Sequence, residues 1–398
     1  MRILHVTQAS FAGVLSSSTA IARAQAEVPG VEVTYAWSPR TVSPAPDQIQ
    51  QMVGPRVRVV RLSRSPRLGV PALGARLPGL IARGDFDVVH LHSSFAGMLG
   101  RIAALIAGRR STVVYSPHSF AFDRPDTSRA RRIAYRSLER LGARISSAII
   151  ACSPSEQAVA RSAIPDARTA ILTNAVDARS LAQERRAAQE ERTPGVQDGT
   201  HEGAPDAPRL RVAHIGRIAS QKRPDLFGRI AERFVGGAAR AAEAPAGAEG
   251  ADAPRFTWLG EGDRSLLPPS VEVTGWLTPA QLHRELARTD IVLFTSAAEG
   301  MPVSLLEAQA MGIPIVGSRV TGIADLVDDG RTGLLFTTED EGHEALRHLL
   351  GSPEQRRALG RTAAREVAAD FDLDGLAERS FTAYTSLGLP VTTTKGIR

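Results

Sequence analysis

Short apolar runs alternate with helix-period segments along almost the whole chain. In the first half ILHVT, VEVTYAW, VRVVRL, DVVHLH, TVVYS, AIIACS and AILTN read as strands, with helical patterns such as AGMLGRIAALIAG and ARRIAYRSLERLG between several of them. The alternation resumes with LRVAHIG, FTWLG, VEVTG, DIVLFTS, PIVGS and GLLF. Apolar strands separated by helices predict an α/β protein whose mainly parallel sheets are covered on both faces. At 398 residues the chain is too long for one ordinary core, so two domains are expected. Residues 1–181 read as the first domain and 209–370 as the second. The polar stretch AQERRAAQEERTPGVQDGTHEGAPDAP at 182–208 has the composition of a linker. GGAARAAEAPAGAEGADAP at 236–254 reads as a surface insertion, and 389–398 as a polar tail.

Composition narrows the class. Hydrophobic content of 43% and charged content of 23% are those of a globular protein. The opening MRILHVTQAS is too short and too polar for a signal-peptide core and reads as a buried first strand. No apolar run approaches the roughly 20 residues that span a bilayer. A single cysteine, Cys152, excludes an internal disulfide and predicts a reducing, cytoplasmic setting.

Charge is divided unevenly. Residues 1–182 hold roughly twice as many arginines as acids, whereas the remainder is net acidic. An anionic partner is therefore expected for the first half only. With 5% aromatic residues and no base-stacking motif, nucleic acid is disfavoured and an anionic membrane surface is the better candidate. One segment focuses this expectation. In SRARRIAYRSLERLG, Ala130, Ile133, Ala134, Leu138 and Leu141 recur at helical spacing beside a stripe of Arg129, Arg132, Arg136 and Arg140.

The second half carries the candidate chemistry. Ligands of open parallel sheets bind beyond the carboxyl ends of the strands. Directly behind predicted strands come Gly216-Arg217, Gly260-Glu261-Gly262, Gly275-Trp276 and the run Ser296 to Met301. Lys222 is one of only two lysines, the other being Lys395. Arg217 and Lys222 together have the chemistry of a diphosphate clamp, a fork and a point charge. Pro302 suits a first helical position, so the turn Glu299-Gly300-Met301, with Pro302 and Val303 opening the helix behind it in the same donor-binding segment, is expected to deliver free backbone N–H groups to an anion. Glu299 and Glu307, with seven residues between them, are acids in an otherwise largely apolar stretch, SAAEGMPVSLLEAQAMGIPIV. Sugar hydroxyls on Glu299 and ribose hydroxyls on Glu307 would satisfy them; the alternative for Glu307 is an ion pair with a nearby arginine.

The ordered set DVVHLHSSFAG, YSPHSF, AIIACSPSEQ, ILTNAVD, HIGRIASQKRPDL, GEGD, GWLTPAQL and GIADLVDDGRTGLLF, with the two spaced glutamates, resembles the retaining family 4 glycosyltransferases of the GT-B fold. The likeness covers nearly the whole chain. It implies two Rossmann-like doubly wound domains with a cleft between them, and a final helix, within 371–388, that crosses back to the first. It implies a nucleotide-diphosphate sugar as donor, retention of anomeric configuration, no cofactor and no essential metal. By the same resemblance Arg217 and Lys222 hold the diphosphate, Glu299 meets the donor sugar and Glu307 holds the ribose. His118 in SPHSF takes the place of the active-site histidine, and Gly13 and His92 lie on the acceptor side. Relatives often glycosylate lipid-linked acceptors at the inner membrane face, which implies a glycan or lipid-linked acceptor from cell-envelope polysaccharide synthesis. One departure is SFAGVLSSSTA, where Ala12 stands in place of a usual glycine and only Gly13 remains. A nonenzymatic sugar-nucleotide-binding protein and a sugar-nucleotide epimerase on the same architecture are the rival expectations.

Overall fold

Thirteen strands form two separate parallel sheets in this computed structural model, which describes residues 1–9, 13–40, 43–123, 127–192, 209–235 and 253–391. One compact unit comprises Met1–Ala175 together with the chain from Phe371 onward; the other is Val176–Asp370.

The first unit holds β1 (Arg2–Ala9), β2 (Glu32–Pro39), β3 (Arg58–Arg61), β4 (Val88–His92), β5 (Val113–Ser116), β6 (Ala148–Ala151) and β7 (Arg168–Ile171), in the order β3-β2-β1-β4-β5-β6-β7. Every residue of VVHLH in β4 is buried, because helices cover both faces of the sheet; such a strand has no polar side to alternate with. Leu4, Val6, Val89 and Leu91 pack into the core on one face. Ile3, Val88 and Val114 pack on the other with Leu376, Tyr384 and Leu387, so the helix Leu376–Ser386 belongs to this unit and seals its sheet. The period of two puts His5, His90 and His92 on that second face, and His5 stands opposite His90 in register.

The second unit holds β8 (Arg211–Ile215), β9 (Arg255–Leu259), β10 (Glu272–Val273), β11 (Ile291–Phe294), β12 (Ile315–Ser318) and β13 (Gly333–Phe336), in the order β10-β9-β8-β11-β12-β13. The chain direction of winding reverses between β8 and β11, as it does between β1 and β4 in the first sheet. Such switch points open a crevice at the strand ends.

One sequence expectation is corrected. Residues 182–192 are not linker but the larger part of a helix, Ala178–Arg192. Its run of Ala, Gln, Glu and Arg has strong helix propensity, and a tertiary contact fixes it: Arg185 Nη1 donates to Ala287 O at 2.5 Å, the last residue of the helix Pro279–Ala287, and to Thr289 O at 2.8 Å just beyond it. The rest of that stretch, residues 236–252 of the expected insertion, Ala12 and the tail after Val391 lie outside the described residues.

Candidate functional site

The loops behind β8, β9 and β11 are laced into one surface by backbone contacts. Ile218 N–H donates to Glu261 O at 2.9 Å, and Asp263 N–H to Ile218 O at 3.3 Å. Glycine is required here: a Cβ on Gly260 would lie 2.1 Å from Gly216 O, and one on Gly262 2.2 Å from Ile218 O. Both also have φ values, 151° and 155°, that side chains rarely adopt. The β8 loop is stitched to the β11 loop in turn. Ala297 N–H donates to Gln221 O at 2.8 Å, the Gln221 amide to Ala298 O at 2.8 Å, and the Thr295 hydroxyl to Lys222 O at 2.9 Å.

This lacing brings Lys222 to Glu299. The lysine ends a short 3-10 turn, Ser220–Lys222, its stem crosses Gly216, and its Nζ pairs with Glu299 Oε1. The side chains are 19% and 9% exposed, so each charge is the other's main compensation. Glu299 is held from behind as well: its N–H donates to Thr321 O at 3.1 Å, and Gly322 packs against its carbonyl where a Cβ would be 2.6 Å away. Arg217 is exposed and has no hydrogen bond or ion pair among the described residues. Lys222 and Arg217 are thus not equivalent cations: one is committed to a carboxylate, the other is free to bind.

The helix beyond Glu299 runs Val303–Ala310 and starts one residue later than expected. Pro302 is its N-cap, with ψ at 116°, and its carbonyl accepts the first turn, from Leu305 N–H at 3.1 Å. No side chain caps this end, which suits it to an external anion. Glu307, in the second turn, is paired not with an arginine but with His283, whose Nε2 lies 3.3 Å from Glu307 Oε1 while Nδ1 lies 3.6 Å from Glu184 Oε1. Burial alone would lower the His283 pKa, but Glu307 and Glu184 outweigh it and hold it above the ordinary 6.5. Stability from this pairing is therefore full below the unfolded-state value and is lost as pH rises through the raised folded-state value. Unfolding midpoints of the wild type should fall relative to His283→Gln as pH rises through and above the ordinary histidine value of 6.5. Parallel pH profiles for the two proteins would exclude the pairing.

In the first unit, His118 and Ser119 follow β5 with φ of 51° and 80°, a left-handed conformation that costs energy in residues other than glycine. Glu156 over-determines it. Its Oε1 accepts Ser119 N–H at 2.5 Å and its Oε2 accepts Cys152 N–H at 2.7 Å, from a side chain buried at the start of the helix Pro154–Ala163. Burial raises the Glu156 pKa, and the amide donors pull against that shift. His92 and His118 are brought together, Nδ1 to Nε2 at 3.0 Å, and His5 joins them, Nδ1 to His92 Nε2 at 2.9 Å. His5, His90 and His92 lie close enough to suggest metal ligation. Each of their six nitrogens already has a protein partner, in His92, Gln25, Tyr384, Ser116, His5 and His118. The cluster is satisfied without an ion. Gly13 opens the helix Gly13–Ala26, and a Cβ there would meet nothing within 4 Å.

Residues 12–180 match the family model described as Glycosyltransferase Family 4, and residues 209–352 the model described as Glycosyl transferases group 1. The chain belongs to the family 4, group 1 glycosyltransferases. An uncharacterized 41.2 kDa protein in the cps region of Klebsiella pneumoniae is 27% identical over 64% of this chain and 66% of its own length. The UDP-Gal:alpha-D-GlcNAc-diphosphoundecaprenol alpha-1,3-galactosyltransferase of Escherichia coli is 25% identical over 66% of this chain and 65% of its own length. The chain therefore spans a little under two thirds of these relatives. The Anabaena protein HepE, solved in complex with UDP and glucose, superposes with a TM-score of 0.72 at 18% identity, covering 97% of this chain and 100% of that one. The two parallel-sheet units are those of the GT-B fold.

On the first unit, this family member exposes an amphipathic surface. The helix Arg129–Ile145 buries only Gly142 and Ala143. Its apolar stripe faces solvent, with Ile133 60%, Leu138 48% and Leu141 53% exposed. The arginine stripe divides in two: Arg136 Nη2 and Arg140 Nε donate to Ser162 O at 3.2 Å and Ala163 O at 2.8 Å, capping the Pro154–Ala163 helix, whereas Arg129 and Arg132 are exposed. The neighbouring helix Ser94–Ile106, tied on by the buried Arg101–Glu139 ion pair, exposes Phe95, Ile102, Leu105 and Ile106.

Proposed function

We propose that the protein is a retaining glycosyltransferase that moves a hexose from a nucleoside-diphosphate donor to a lipid-linked or cell-envelope glycan acceptor, at the cytoplasmic face of the inner membrane. The observation that carries this reading is the Lys222–Glu299 pair set beside an uncapped helix start and a free Arg217. Arg217 and the backbone N–H groups of Gly300 and Val303 would take the diphosphate, where negative charge grows as the sugar leaves. Lys222 would share its proton donors between Glu299 and a phosphate oxygen, leaving Glu299 partly free to accept sugar hydroxyls. Glu307, held by His283, would turn to the ribose.

The chemistry is a front-face displacement. The bond from the anomeric carbon to the diphosphate oxygen breaks with its electron pair on phosphate, and the acceptor hydroxyl oxygen bonds to the same face. The hydroxyl proton passes to the departing phosphate oxygen. No metal or cofactor is invoked. HepE, named with UDP and glucose, supports a uridine nucleotide, and the E. coli galactosyltransferase, named for a diphosphoundecaprenol acceptor, supports a lipid-linked one. Stoichiometric release of nucleoside diphosphate on adding such an acceptor tests the reading. Binding without release would make the protein a sugar-nucleotide binder, and conversion of donor without acceptor an epimerase.

The exposed apolar and arginine residues of Arg129–Ile145 support peripheral membrane attachment, and no helix among the described residues is long and apolar enough to cross a bilayer. Vesicles containing anionic lipid should bind the protein, less so as salt screens the charges. Replacing Arg129 and Arg132 with glutamine and Ile133, Leu138 and Leu141 with serine should abolish sedimentation with vesicles at unchanged UDP affinity. Wild-type protein that ignores anionic vesicles at low salt would point to a soluble acceptor.

A further inference from the structure

We infer that Gln25 sets the tautomer of His118 through a chain of buried imidazoles, so that His118 carries its proton on Nε2 and presents a bare Nδ1 as a hydrogen-bond acceptor. The direction of every bond follows from one carbonyl. Ala377 O can only accept, so the Ser380 hydroxyl, 2.7 Å away, donates to it. The Ser380 oxygen must then accept from Gln25, which orients the amide: Nε2 faces Ser380 at 2.9 Å and Tyr384 OH at 3.1 Å. Gln25 Oε1 is left facing His5 Nε2 at 2.8 Å, and because it only accepts, His5 Nε2 carries hydrogen.

A neutral imidazole has one donor and one acceptor, so each ring passes the polarity on. His5 Nδ1 accepts from His92 Nε2–H at 2.9 Å, and His92 Nδ1 accepts from His118 Nε2–H at 3.0 Å. A second arm runs from the Tyr384 hydroxyl to His90 Nδ1 at 2.8 Å and from His90 Nε2–H to Ser116 Oγ at 2.8 Å. Burial keeps the rings neutral: it lowers His5 and His118 to about 4 and holds His90 and His92 well below 6.5.

The chain ends at an atom with work to do. His118 is half-buried, and its Nδ1 has no partner among the described residues. An aromatic nitrogen lone pair there accepts from a hydroxyl, the group that both a donor sugar and a glycan acceptor offer. Gln25 and its anchors are thus positioning residues for His118, acting from the helix Gly13–Ala26 and from the helix Leu376–Ser386. That functional role rests on the proposed transfer reaction, whereas the tautomer does not.

Long-range proton–nitrogen NMR of protein labelled with 15N-histidine tests it, with the nine histidines assigned by single substitution. The wild type should show His118 with Nε2 protonated and Nδ1 bare at neutral pH. Gln25→Met should give His118 a tautomer mixture and lower kcat by about two- to tenfold at unchanged UDP affinity. Tyr384→Phe cuts the His90 arm but leaves Gln25 Nε2 oriented by Ser380, and should leave His118 as in the wild type. A wild-type His118 protonated on Nδ1, a pure Nε2–H form in Gln25→Met, or a His118 change in Tyr384→Phe would each overturn the relay. Should Gln25→Met fail to fold, the wild-type and Tyr384→Phe spectra still decide. A protein with the expected tautomers but no sugar transfer would refute the proposed function and leave the relay standing.

Discussion

Lys222→Ala is expected to abolish sugar transfer and to lower the free energy of unfolding by on the order of 3 kcal/mol. The two losses have different origins. Stability falls because Glu299, 9% exposed, is left as a buried charge without its partner. Transfer fails because the departing diphosphate loses a cation where its charge develops. The double variant Lys222→Ala/Glu299→Gln separates them, since a neutral amide at 299 tolerates the missing lysine. Its unfolding midpoint should return most of the way to the wild type while transfer stays absent. A Lys222→Ala protein as stable as the wild type would show that solvent, not the ion pair, satisfies Glu299.

Glu156→Ala should be comparably severe, although Glu156 touches no proposed ligand. Removing the carboxylate strands the buried N–H of Cys152 and the half-buried N–H of Ser119, at about 1–3 kcal/mol each and less for the latter. The left-handed turn at His118 and Ser119 loses its brace and relaxes, carrying His118 away from His92. Chemical denaturation should report the first effect and kcat the second, with UDP affinity unchanged because Glu156 belongs to the other unit. A stable Glu156→Ala protein with normal turnover would remove the brace from the mechanism.

The inner strands were legible because a strand covered on both faces is written as a short, mostly apolar run, as in IVLF and, around its two histidines, VVHLH. The glycines behind β8 and β9 were legible as turn residues, but their closer role, admitting one loop backbone onto another, depends on register and not on local sequence. Residues 182–192 of the helix Ala178–Arg192 were misread because a helix held by a few distant contacts, such as those of Arg185 and Glu184, has the composition of a linker. Arg136 and Arg140 looked like the same basic stripe as Arg129 and Arg132; only the neighbouring helix end makes them caps. Pro302 was placed one position too far into its helix, since proline's fixed φ suits both N-cap and first turn. Glu156, His283 and Gln25 were missed for a common reason. Their partners lie far away in sequence, as Ser119 does from Glu156 and Ser380 does from Gln25, and no local pattern marks them. The SPSE segment did carry one hint, a capping box, which Glu156 extends to the preceding residue and to the His118 turn.

Calorimetric titration of UDP into the wild type, Arg217→Ala and Glu307→Ala tests the donor site most directly. Saturable one-to-one binding is expected in the wild type, weakened about tenfold to about a hundredfold in each variant for the loss of one charge-assisted contact. Exposed Arg217 should be replaceable at no cost to the unfolding midpoint. Absence of binding in the wild type, or the same affinity in all three proteins, would contradict a nucleotide-sugar site on this rim.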